Sequence, residues 1–248
     1  MLSRLRARAG SESGFTLIEL LVSVSIGTIV MLALFTLVDR AAPAQTRVTN
    51  RVESQAAGRG ALETIAQQLR AAVCVQDATN GLRSPVVSAG DTQVTFYSYL
   101  PAKATVTNGN PVFQPTVIQL SYNAAAKTLT RKTWGPFTPP ATPPDPATTP
   151  TTTETVLSNV TPTGTANPNV ASALFGYYAF DSTTPLTTAG MTAAVSATIV
   201  RVSLGFTVSS TGPRAYAPAG ATFADDITLR LPPQFKAGVA QGGPRCVI

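Results

Sequence analysis

Residues Phe15 to Val38 of this chain (FTLIELLVSVSIGTIVMLALFTLV) contain a single ionisable side chain, Glu19. As a helix, 24 residues rise about 36 Å, enough to cross a hydrocarbon core of about 30 Å with some tilt. Arg4, Arg6 and Arg8 precede the span. Basic residues on that side place the N-terminus in the cytoplasm and the bulk of the chain outside. A secretory signal would carry a shorter apolar stretch and a cleavage site at its end. Here the stretch runs on to Asp39-Arg40 with no A-x-A-like site. The segment therefore reads as a membrane span that is retained. Glu19 is the anomaly within it. A carboxylate near that depth costs roughly 2.5–3.5 kcal/mol on insertion scales, so it calls for a partner unless it snorkels to the interface.

Gly14-Phe15-Thr16-Leu17-Ile18-Glu19-Leu20-Leu21-Val22, behind a short basic leader, resembles the class III leader junction of type IV pilins and of the pseudopilins of type II secretion. The resemblance implies a leader, residues 1–14, cut between Gly14 and Phe15 by a membrane prepilin peptidase on the cytoplasmic side. It implies N-methylation of the new terminus at Phe15. Glu19, the fifth residue of the mature chain, would then neutralise a buried terminal amine when subunits stack into a filament. The implied partners are the peptidase, other major and minor pilins or pseudopilins, an inner-membrane assembly platform and, before assembly, membrane lipid.

Beyond the span, residues 39–74 continue the helical pattern. Val48, Val52, Leu62, Ile65, Leu69 and Val73 recur at spacings built from three and four, as one face of a helix does. Pro43 is expected to bend this helix, and Gly58 and Gly60 to weaken its middle. The outer half should pack on a sheet through Leu62–Val73. The expected fold class is α+β: a pilin-like lollipop, its long N-terminal helix packed on a mainly antiparallel β-rich head spanning 75–248.

Strand-like alternation marks Gln93–Leu100, Val117–Tyr122 and Lys127–Thr133, with a hairpin at Asn123–Ala126, then Phe175–Phe180, Ala197–Val208 and Asp226–Leu231. Between the two groups, residues 133–155 hold seven Pro and nine Thr, a composition that reads as an exposed loop or linker, glycosylated or bare. Pattern alone leaves open whether the strands make one sheet or two subdomains. Gly60–Ala72 and Ile118–Arg131 resemble the larger minor pilins, the PilW or type II secretion J-component kind. About 234 residues after the junction, with no Pro inside 15–38, favour a minor subunit over a main fibre subunit.

With no histidine in the chain, a His-based triad, zinc site or general base is unavailable. No nucleophile–base pair, phosphate loop or cofactor motif appears, so no enzyme is read here. Cys74 and Cys246 are too few for a disulfide scaffold. In an extracytoplasmic compartment they can pair, pinning the tail to the end of the helix, or stay as two thiols. Asp225-Asp226 reads as a loop before a strand, since two carboxylates fall short of a calcium shell. Lys127, Arg131, Lys132 and Trp134 form a small basic and aromatic cluster. Strand alternation sends Arg131 and Lys132 to opposite faces, so nucleic acid is not supported as a partner.

The expected function is a minor pilin or pseudopilin that helps initiate or cap a pilus or pseudopilus at its tip. Its location would be the inner membrane as a single-pass precursor, then the fibre. The alternatives are a tip-displayed adhesin or DNA-binding module, and an uncleaved signal-anchored surface protein.

Overall fold

The computed structural model describes residues 14–79, 81–107, 110–210, 220–229 and 246. The expected leader, apart from Gly14, and the last two residues of the expected final strand, Arg230 and Leu231, lie outside them. The chain forms two units, Met1–Thr46 and Arg47–Ile248, and the boundary falls inside one long helix, α1 (Leu17–Arg70). The helix runs on through Pro43 without a break. Loss of one backbone hydrogen bond does not end a helix of 54 residues. The helix stops at Arg70, four residues before Cys74.

Among the described residues eleven strands follow: β1 (Val75–Asp77), β2 (Gly81–Arg83), β3 (Val86–Gly90), β4 (Gln93–Thr107), β5 (Asn110–Asn123), β6 (Thr128–Trp134), β7 (Thr152–Ser158), β8 (Val160–Pro162), β9 (Phe175–Ala179), β10 (Ile199–Val208) and β11 (Ala221–Thr228). A short helix, α2 (Ala193–Ser196), precedes β10. All pairings are antiparallel. One sheet runs β3-β4-β5-β6-β7. In the second, β10 carries β11 on one side, while β9 and then β8 follow one another along the other. The strands β1 and β2 pair separately. The question left open by pattern is thus answered: the described residues form two principal sheets, and these share one core.

That core joins Ala61, Ile65 and Leu69 of α1 to Phe96, Ile118, Leu120 and Leu129 of the first sheet and Val202, Leu204 and Phe206 of the second. Leu69 and Ile65 are completely buried, each worth roughly 1.5–3 kcal/mol relative to exposure. Val48 and Val52 belong to the expected face but are exposed, so the buried face starts only at Gly58. Gly58 itself is a packing device rather than a weak point. A Cβ there would overlap the ring of Phe223 on β11, so the missing side chain lets strand and helix approach. The end of α1 is tied to β4. The Ser98 hydroxyl donates to the Gln68 carbonyl (3.0 Å), and Val73 N–H donates to Tyr97 O (3.0 Å).

The Pro/Thr-rich segment is more ordered than its composition suggests. Alternation along β4 and β5 turns Tyr97 and Val117 away from the main core, into a second cluster with Val75 and Trp134. Phe137, from the Pro-rich stretch, completes that cluster. Trp134 Nε1 donates to Thr148 O (3.0 Å) and Thr151 N to Thr133 O (2.7 Å), folding the segment back on its own sheet. Its last residues then enter β7 and pair with β6. Seven prolines prevent strand pairing up to Pro150. The β-branched run after it restores it.

Candidate processing and assembly site

The junction lies just outside the first turn of α1. Gly14, Phe15 and Thr16 have no regular structure, and the helix begins at Leu17. Gly14 is exposed, and a Cβ on it would meet nothing within 4 Å. Nothing in the described fold therefore asks for glycine at this position. Phe15 is 75% exposed. Glu19 sits in the first turn, where a negative charge is favoured by the helix dipole.

Every described side chain from Gly14 to Ala41 is exposed, including Leu17, Ile18, Leu20, Leu21, Val22, Ile29, Leu32 and Phe35. These residues circle the helix rather than lining one face. A helix apolar all round belongs in a membrane or in the interior of an assembly. Its hydroxyls fit the same surroundings. Ser23, Ser25, Thr28 and Thr36 donate to the carbonyls of Leu20, Leu21, Val24 and Ala33 at 2.8–2.9 Å, so none needs an outside acceptor. The Glu19 carboxylate is different. Among the described residues it has neither a hydrogen-bond donor nor a cation. The segment has internalised its polar groups except one, and that one lies four residues from Phe15.

Residues 10–35 match the family of the prokaryotic N-terminal methylation motif. This is a prepilin-type N-terminus. The match spans the junction, Glu19 and most of the apolar run, and leaves the remainder of the chain outside it. No curated protein matches the chain. The apolar first half of α1, long enough to cross a membrane, and the antiparallel β head after it give the α+β arrangement expected of a pilin-like precursor.

The other candidates resolve differently. Cys74 and Cys246 are joined in a disulfide, with Cα atoms 5.7 Å apart across a sequence separation of 172. Asp225 and Asp226 lie inside β11, not in a loop before it, because the alternation of Ala221, Phe223 and Asp225 starts the strand earlier. They are divided between separate partners. Asp226 accepts from Arg201 (3.0 Å) and from the Ser203 hydroxyl, whereas Asp225 lies 4.0 Å from Arg70. The basic cluster is also dispersed. Arg131 pairs with Glu154 across β6 and β7, Trp134 is buried, and Lys127 occupies the left-handed turn of the hairpin at φ 52°.

Sequence reasoning missed the ion pair between the buried Asp77 and the half-buried Arg83, whose Nε lies 2.6 Å from the carboxylate. The pair spans β1 and β2, and its short local spacing gave no signal. Burial opposes the Arg83 charge, but the bond to Asp77 outweighs it with help from Tyr97, and the guanidinium pKa is raised. The pair braces the turn just beyond the disulfide.

Proposed function

We propose that this chain is a minor type IV pilin or pseudopilin, a structural subunit cleaved between Gly14 and Phe15, methylated on Phe15 and assembled through residues 15–38. The observation that supports this reading best is the isolated Glu19 carboxylate on an apolar stretch whose Ser23, Ser25, Thr28 and Thr36 hydroxyls are satisfied internally. Cleavage creates a cationic amine on Phe15. In a filament, amine and carboxylate leave water together, and each offsets the other's desolvation. A charge pair in apolar surroundings also penalises misaligned stacking, so Glu19 contributes to register as well as to neutralisation. Gly14 fits a requirement imposed from outside the chain, because the fold has no steric use for it. The size of the head and the absence of Pro within 15–38 support a minor subunit, at or near the tip of the fibre.

The test is intact mass and N-terminal sequencing of the protein from its native membrane, beside a strain lacking the prepilin peptidase. The reading expects a mature chain starting at N-methylated Phe15, replaced by the precursor in the deficient strain. A chain that keeps its leader in both strains would make it an uncleaved anchored protein instead.

A further inference from the structure

We propose that Thr16 is a positioning residue for processing: its hydroxyl caps α1 at Leu17 and so holds the Gly14–Phe15 bond outside the helix, open to a peptidase. This rests on the reading above that this bond is the one cut. The Thr16 carbonyl accepts from Glu19 N (3.1 Å) and Leu20 N (3.2 Å), the first bonds of the helix. Its hydroxyl accepts from the same Glu19 N–H at 3.3 Å. Both features define an N-cap, in which a side-chain oxygen satisfies one of the orphan donors of the first turn. Thr16-Leu17-Ile18-Glu19 also has the spacing of a capping box, but the return bond, from Thr16 N–H to the Glu19 carboxylate, is not made among the described residues. Thr16 thus does the capping alone and leaves the carboxylate available.

A stop at this position has work to do. The leader sequence Leu2-Ser3-Arg4-Leu5-Arg6-Ala7-Arg8-Ala9 is rich in strong helix formers, and the run after Phe15 is helical for 54 residues. If the helix started a turn earlier, the Gly14 carbonyl would enter the backbone ladder as the acceptor of the Ile18 N–H. The scissile bond would then be fixed in a helical turn, with its carbonyl oxygen already engaged and not free for a peptidase to bind. With Thr16 as cap, Gly14 and Phe15 stay exposed ahead of the first turn.

The experiment compares full-length precursors carrying Thr16→Val, Thr16→Ser or Thr16→Asn, following leader removal by the membrane peptidase with intact mass. Val keeps the size and branching of Thr but cannot accept the bond, whereas Ser and Asn both cap well. A cap worth about 1 kcal/mol corresponds to a change of about fivefold in cleavage rate for Thr16→Val. Thr16→Ser and Thr16→Asn should cleave near the unmodified rate, with the melting of the head unchanged in all three. Wild-type cleavage of Thr16→Val would overturn the proposal. So would equal slowing of Val, Ser and Asn, which would mean that the peptidase reads the Thr side chain directly. An unmodified chain left uncut after Gly14 would overturn both this proposal and the function it rests on, whereas a cut parent with an equally fast Val variant would overturn only this one.

Discussion

The two ends of α1 obey opposite rules. From Phe15 to Val38 the side chains are apolar on every side, and none is buried. From Gly58 to Leu69 the buried residues are Gly58, Ala61, Ile65, Ala66, Gln68 and Leu69, while Arg59, Glu63, Thr64 and Gln67 face water. The later stretch has the amphipathic stripe of a helix that has found its sheet. The earlier one has no stripe, and nothing among the described residues covers any of its sides. The difference teaches where each stretch gets its stability: the later part from intramolecular packing, the earlier part, on the function proposed above, from lipid or from other subunits.

Substitutions can separate the two. Leu69→Ala empties a completely buried position in the shared core and should cost about 2–5 kcal/mol of head stability, read as a lower melting temperature of the full chain in detergent. Ile26→Lys should do the reverse. It touches no core residue, so head melting should hold. A cation in the span costs about 2.5–3.5 kcal/mol on insertion scales, so membrane insertion and assembly should fall. If Ile26→Lys lowered head melting as Leu69→Ala does, the contrast between the stretches would be lost. Gly58→Ala tests how closely strand and helix approach. Overlap with Phe223 should destabilise the head by about 1–3 kcal/mol, against the stabilisation that Gly→Ala brings at an open helical position.

The smallest effect concerns pH. The Tyr177 hydroxyl bridges the two sheets, donating towards Gly90 O and Gln93 O at 2.9 Å each. Burial lifts its pKa well above the ordinary value of 10.0, and the Asp91 charge adds to the rise. The folded state therefore favours the neutral phenol. Its contribution is intact below the unfolded pKa near 10 and is lost as pH rises through the higher folded value. Tyr177→Phe should cost about 1 kcal/mol near neutrality through the lost hydrogen bond and flatten the alkaline fall in stability. Thermal melts at stepped alkaline pH would show it, and an identical alkaline limit in both proteins would count against this role.

The sequence made the first unit the easier to read. Its features are local: an uninterrupted apolar run, one carboxylate, and a junction whose residues are adjacent in the chain. The central strands were legible for a similar reason, since Val202, Leu204 and Phe206 alternate in one strand. The cap at Thr16 was visible in principle as Thr-x-x-Glu, but the same residues were absorbed into the junction motif. What pattern could not give depends on distant partners. Gly58 is a contact only because Phe223 lies across it, and β7 exists only because β6 offers it an edge. Val48 and Val52 keep the right period yet are exposed, because period states which face could be buried and not whether anything covers it.

The central claim is that Glu19 serves assembly and not the fold of its own subunit. Glu19→Val in the native host, with leader removal and fibre incorporation measured on the same sample, tests this most directly. The account predicts a chain that is cleaved after Gly14 and retains normal head melting but is missing from the fibre fraction. Normal incorporation of cleaved Glu19→Val would contradict it.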